Sequence, residues 1–183
     1  MGSTTSGNAS AGAAQPIPPT GPRCEPRIAT LASIAEQVAA IDELVALARR
    51  RIRVFDHDLS QMGWNQARRM DRLGAFLRGS RGRRLDIIVH NTGYLESSCA
   101  RLVALLRTYS YAVTIYRTGP EARHAADPLV LVDDSHYLHR FHYEQPRATL
   151  GIDQPEQTRP LAQRYDQIWA TGEPGIDATV LGL

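Results

Sequence analysis

Asp56-His57-Asp58, His90 and Asp133-Asp134 are the residues of this chain whose types could carry acid–base or cation chemistry. An imidazole titrates near neutrality and a carboxylate beside it can orient it, so Asp56, His57, His90 and Asp133 are the candidates for a catalytic centre. Each falls near the end of an expected strand, and open α/β sheets collect their ligands at strand ends. The competing roles are structural: an Asp that closes a strand beside a helix start caps backbone N–H groups, and adjacent carboxylates in a turn form the turn. His136, His139 and His142 resemble a metal-binding run. Along a strand, however, His139 faces away from the other two, and His136 and His142 stand about 20 Å apart, beyond the reach of one ion. No metal site and no cofactor is expected, and neither a Gly-rich phosphate loop nor a Ser nucleophile elbow occurs.

All 21 basic residues are arginine. The absence of lysine excludes a P-loop lysine, a Schiff-base amine and a kinase-type lysine. Charge is unevenly placed although the net is only +2: residues 49–84 hold 11 arginines against Asp56, Asp58 and Asp71, a local +8. Residues 1–48 come to −2 and residues 85–183 to −4. Arg68 and Arg72 share a helical face, and Arg78, Arg81, Arg83 and Arg84 crowd the loop after it. Guanidinium forks grip phosphate in bidentate fashion, so this segment is the expected polyanion-binding surface, with nucleic acid the first partner and an acidic protein the second. Trp64 and Phe76, the aromatics of its helical part, fall at core spacing, so base stacking there is not expected. The plainer reading of the same arginines is a solvated helix face.

The elements that must position these residues follow from periodicity. Residues 1–22 hold little to bury, and ordering them would cost roughly 1–2 kcal/mol per residue, so a disordered tail is expected. Ser33-Ile-Ala-Glu36 is a capping box that opens a helix running to about Arg50. Arg51 to Phe55 reads as a strand with its arginines outward, and Trp64 to Leu77 as a second helix closed by Gly79 and Gly82. Leu85 to Val89 is the next strand, Asn91-Thr92 caps a third helix through Tyr109, and Val113 to Arg117 is a third strand. Leu129 to Val132, the Asp133-Asp134-Ser135 turn and Tyr137 to Phe141 form a hairpin. A polar connection leads to a last helix around Leu161 to Trp169, and the tail 172–183 reads as loose. The order predicts an α/β domain over 23–171, with a mixed sheet of about five strands flanked by helices. Cys24 and Cys99 have no C-x-x-C spacing, and no signal, transit peptide or membrane span is read, so a cytoplasmic protein with reduced thiols is expected.

Together, the Arg-Ile-Arg-Val-Phe strand leading to Asp58-Leu59, the Leu-Asp-Ile-Ile-Val strand, the Leu-Val-Leu-Val-Asp-Asp hairpin and the Tyr165 to Trp169 helix resemble one half of a phospholipase D-like fold. They resemble more closely a small bacterial domain of unknown function in that superfamily, also found C-terminal to acetyltransferase domains. The resemblance covers roughly residues 25–171. It implies a site in which two His-x-Lys motifs meet across two halves or two subunits, one His attacking phosphorus and the other protonating the leaving group. With Asp133 as the terminal acid of the motif, the His and Lys positions are Ala126 and Pro128, and neither can do that chemistry. His124 does not rescue the motif, because Ala126 and Leu131 stand where its Lys and Asp would be. The resemblance therefore implies a catalytically inactive domain that binds or assembles, and a single half of a two-half fold implies a homodimer. The alternative is an enzyme with a non-standard centre near Asp56, His57 and His90.

Overall fold

The computed structural model describes residues 1–2 and 25–176. The expected disordered tail, apart from Met1 and Gly2, lies outside the described residues, as do Cys24 and positions 177–183. Thirteen elements frame the site: β1 (Arg27–Leu31), α1 (Ile34–Leu47), β2 (Arg51–Asp56), α2 (Ala67–Arg78), β3 (Arg84–Val89), α3 (Gly93–Ser98), α4 (Ala100–Thr108), β4 (Val113–Arg117), β5 (Leu129–Val132), β6 (His136–Arg140), β7 (Ala148–Ile152), α5 (Pro155–Trp169) and β8 (Glu173–Pro174). The strands form one sheet in the order β1-β7-β6-β5-β2-β3-β4-β8. Strands β2, β3 and β4 are parallel, joined by helical crossovers as parallel pairing requires, and the remaining neighbours pair antiparallel. No described helix is long and apolar enough to cross a membrane.

Each face of the sheet is covered. On one, Ile41, Leu44, Leu73, Leu77 and Leu102 of the helices pack on Ile52, Val54, Leu85 and Ile87. On the other, Tyr165 and Ile168 of α5 pack on Phe55, Ile88, Leu129 and Leu131. This two-sided burial is why Ile87 to Val89 of β3 and all of β5 read as continuous apolar runs, and why Val54 and Phe55 of β2 are both buried. It also corrects the outward placement of the β2 arginines. Arg53 is 4% exposed, donates to the Asp133 carbonyl oxygen at 2.9 Å and lies 6.0 Å over the Tyr165 ring, while Arg51 meets Asp86 at 2.7 Å.

The capping box forms as expected: the Ser33 side chain accepts from the Glu36 N–H, and Glu36 accepts from the Ser33 N–H. The third helix is not continuous. Asn65 reaches into it, donating to the Ser98 carbonyl at 2.7 Å and accepting from the Arg101 N–H at 3.0 Å, and the ladder breaks at Cys99. The sheet has eight strands rather than about five. Within the stretch read as a polar connection, β7 pairs Gly151 with Tyr137, and a Cβ at 151 would meet the Tyr137 ring at 2.1 Å, so the residue that weakens the strand pattern is one the packing needs. The tail read as loose enters the sheet at Glu173–Pro174, where the chain runs so close to β4 that a Cβ at Gly175 would meet the Tyr116 carbonyl carbon at 2.9 Å.

Asp133 proves to be a staple of this fold. It sits at φ 52° in the β5–β6 turn, and its carboxylate accepts N–H bonds from Arg49, Arg50 and Arg51 at 3.1, 2.8 and 3.0 Å, tying the turn to the start of β2. Asp133→Ala is expected to cost about 2 kcal/mol by loss of these charge-assisted bonds and strain at positive φ. Asp133→Asn, which keeps one acceptor and tolerates that φ, is expected to cost about half as much. Thermal unfolding of the two variants checks the order.

Candidate functional site

The carboxyl ends of β2, β3 and β4 open into a cleft of about 680 Å³. His57 follows β2, His90 follows β3, and Arg117 ends β4. Arg123 and Ala126 come from the β4–β5 connection, His142 and Tyr143 from the β6–β7 loop, and Glu173 from β8. Parallel strands end together there, so their following residues meet although they lie far apart in sequence.

Two of the four acid–base candidates converge. The rings of His57 and His90 lie 5.8 Å apart in a T-shaped pair, and the His57 carbonyl accepts from both the His90 and Asn91 N–H groups at 3.0 Å. The two nitrogens of His90 are both occupied: Nε2 lies 2.6 Å from the Ala125 carbonyl oxygen and Nδ1 2.6 Å from Thr118 Oγ1. A carbonyl only accepts, so Nε2 carries the proton and Nδ1 accepts from the threonine hydroxyl. Burial lowers the affinity of His90 for a second proton, His57 and His124 nearby act in the same sense, and the Ala125 carbonyl opposes them. His90 is therefore a neutral clamp on the β4–β5 connection. His57 stacks on Tyr143 with ring centroids 4.4 Å apart, and its Nδ1 is buried with no hydrogen-bond partner among the described residues.

Asp56 and Asp133 do not join them. Asp56 is 6% exposed, accepts the His57 N–H at 2.6 Å and lies near Arg140 rather than on the cleft wall. Burial raises its pKa from 3.8 to about 6. Asp133 pairs at the start of β2, about 20 Å along the strand from His57. The three histidines of the apparent metal run disperse. His136 Nδ1 accepts the Asp153 N–H at 2.9 Å, His139 lies 3.7 Å from Asp127, and His142 enters the cleft. Among the described residues no group of three or more His, Cys, Asp or Glu stands in metal-binding geometry.

The arginines of 49–84 do not gather at one point. Arg68 and Arg78 stand about 15 Å apart along α2. Arg68 and Arg81 are exposed. Arg72 donates to the Asp42 carbonyl at 3.0 Å, Arg78 reaches Tyr109 Oη at 3.4 Å, Arg83 caps α2 through the Phe76 carbonyl at 2.7 Å, and Arg84 donates to the Arg81 and Arg83 carbonyls at 2.8 and 2.9 Å.

The degenerate motif itself lies against the cleft. Ala126 lines it, and the Ala126 carbonyl accepts the Tyr143 N–H at 2.9 Å. Asp127, between Ala126 and Pro128, is gripped by both arms of the Arg164 fork at 2.6 Å. Burial works against its ionisation, but the Arg164 and His139 bonds outweigh it and hold the carboxyl well below the usual range. Arg117, Arg123, Tyr143 and Glu173 are cleft residues that sequence reasoning missed. Arg117 was discoverable as the residue ending a predicted parallel strand. Tyr143 and Glu173 were not, because each is brought in by a strand that the pattern did not reveal.

An open mixed α/β sheet with this order, carrying a cleft at the carboxyl ends of its parallel strands, is the phospholipase D-like fold. Structural likeness bears this out: Nuc, a phospholipase D family member from Salmonella typhimurium, matches with a TM-score of 0.57 at 15% identity over 82% of this chain and 99% of that one. NucT from Helicobacter pylori matches at 0.55 and 14% identity over 82% of this chain and all of that one. TrmBL2, an archaeal chromatin protein with a novel mode of DNA binding, matches at 0.62 and 12% identity over 81% of this chain, which spans 54% of that protein. Identities this low establish the fold alone. The chain belongs to the family described as Domain of unknown function (DUF7931), whose model matches residues 33–181. No curated protein matches the sequence.

Proposed function

We propose that this domain binds phosphate-bearing ligands in the cleft and does not cleave them. The observation that carries the reading is Ala126: it lines the cleft at the position where the motif of active relatives has its nucleophilic His, while Arg117 and Arg123 remain to hold an anion. Pro128 removes the lysine of the same motif, and the chain has no lysine to replace it. The DNA-binding of TrmBL2 favours nucleic acid as the polyanion. The non-standard enzyme at Asp56, His57 and His90 has less support, because His90 has both nitrogens engaged and Asp56 faces Arg140. Arg68, Arg72, Arg78, Arg81, Arg83 and Arg84 extend the basic surface along α2 and serve at most as an outer track for a long polyanion. Pairing of two copies, as a half-fold favours, belongs to the same reading and is checked by light scattering.

Purified protein is expected to show no turnover of bis-aryl phosphodiesters or phospholipids, yet to bind inorganic polyphosphate with a steep salt dependence. Combined Arg117→Ala and Arg123→Ala substitution is expected to remove most of that binding. Turnover abolished by His57→Ala or His124→Ala would overturn the reading, as would polyphosphate binding unaffected by the loss of both arginines.

A further inference from the structure

The cleft is lined by two unlike groups of side chains. One presents guanidinium groups, Arg117 and the exposed Arg123. The other presents stacked rings: Tyr143 stacks on His57 and also on His142, with centroids 4.4 and 4.8 Å apart and planes within 11° and 21° of parallel. The His142 side chain is 37% exposed, and the preceding residue, Phe141, is 49% exposed. A simple phosphate would use the first group and leave the second idle. A flat aromatic ring attached to a phosphate would use both, and the volume, about 680 Å³, lies in the range of small-ligand sites.

We infer that the cleft takes a nucleotide of single-stranded nucleic acid, with the phosphate at Arg117 and Arg123 and the base against the His142–Tyr143 stack. The inference rests on the phosphate-binding reading and adds the ligand's class to it. A single strand is required because a base within a duplex is already stacked on both faces, and extracting it costs a few kcal/mol. Stacking on a protein ring tolerates any base, since every base has a π-face, so little sequence preference is expected. The Arg117 guanidinium already has a partner. It forms a 3.2 Å ion pair with Glu173, and the two side chains are 55% and 58% exposed. An exposed pair of this kind is weak, so a phosphate competes for Arg117, and Glu173 acts as the competitor the ligand must displace.

Fluorescence anisotropy of the full chain with labelled oligothymidylate tests this, alongside the matched duplex, an abasic oligonucleotide of equal length and inorganic polyphosphate as competitor. The single strand is expected to bind about tenfold tighter than the duplex or the abasic strand, the size of one base–aromatic stack. His142→Ala is expected to remove most of that preference and to weaken polyphosphate binding far less than it weakens single-strand binding, whereas His142→Phe retains the preference. Glu173→Gln is expected to tighten both single-strand and polyphosphate binding severalfold. Equal binding of abasic and thymine strands, or a preference indifferent to His142→Ala, overturns the inference while the phosphate reading stands. Absence of both polyphosphate and oligonucleotide binding overturns the two together.

Discussion

Arg69→Ala is expected to lower stability by about 3–5 kcal/mol, the largest single loss on the surface read as basic, because it strands a partly buried carboxylate and opens a hole between two helices. Arg69 is fully buried. Its guanidinium lies 5.1 Å over the Trp64 ring, meets Asp42 of α1 at 2.8 Å, donates to the Val38 carbonyl at 2.8 Å and also donates to the Met62 carbonyl. One side chain thus joins α1, α2 and the loop between β2 and α2. Removing both charges should be far milder than removing one: the double variant Arg69→Met, Asp42→Leu replaces the ion pair with apolar packing. Urea unfolding of the single and double variants checks this. A double variant no more stable than Arg69→Ala alone would show that the carbonyl bonds, not the ion pair, dominate.

Asp56→Asn is expected to stabilise the protein at neutral pH by about 3 kcal/mol, the free energy that corresponds to a carboxyl raised from 3.8 to about 6. The folded state holds the Asp56 proton more tightly than the unfolded chain does. The stability from that protonated carboxyl is whole below about pH 4 and is lost as pH rises through about 6. Desolvation is the main cause, followed by the opposing His57 N–H bond and then the Asp58 charge. Asparagine keeps an oxygen for the His57 N–H and carries no charge to desolvate, so the gain should appear above about pH 6 and vanish near about pH 4. Denaturant unfolding at the two pH values measures it. A gain of equal size at both would exclude titration of Asp56 as its origin.

Both effects concern groups whose chemistry was visible in the sequence and whose surroundings were not. Arg69 read as one of 11 basic residues in a charged segment, indistinguishable by type from the exposed Arg68 beside it. A one-residue step around α2 turns a side chain from solvent to core, and only the position of α1 decides which arginine is taken inside. Asp56 read as a catalytic candidate with His57 and His90. Burial of Asp56 near Arg140 separates it from the cleft that the two histidines share.

What the sequence determined by itself was whatever rests on interactions within a few residues. The Ser33–Glu36 capping box, the strands β2, β3, β4 and β5, the Asp133 turn and the loss of His and Lys at Ala126 and Pro128 were all legible, because each is local or depends on residue type alone. The tertiary structure alone decided the outer strands, the helix break and the composition of the cleft. β1 and β7 exist because Ile28 faces Gly151 and Ala29 faces Leu150 across more than a hundred residues, and the break at Cys99 exists because Asn65 reaches it from another segment. Arg117, Arg123, Tyr143 and Glu173 share one cleft only because the sheet brings their strands to a common end. Such pairings are set by long-range packing energies that no local pattern encodes, which is why the replacement of His and Lys by Ala126 and Pro128 could be read from the chain and the lining of the cleft could not.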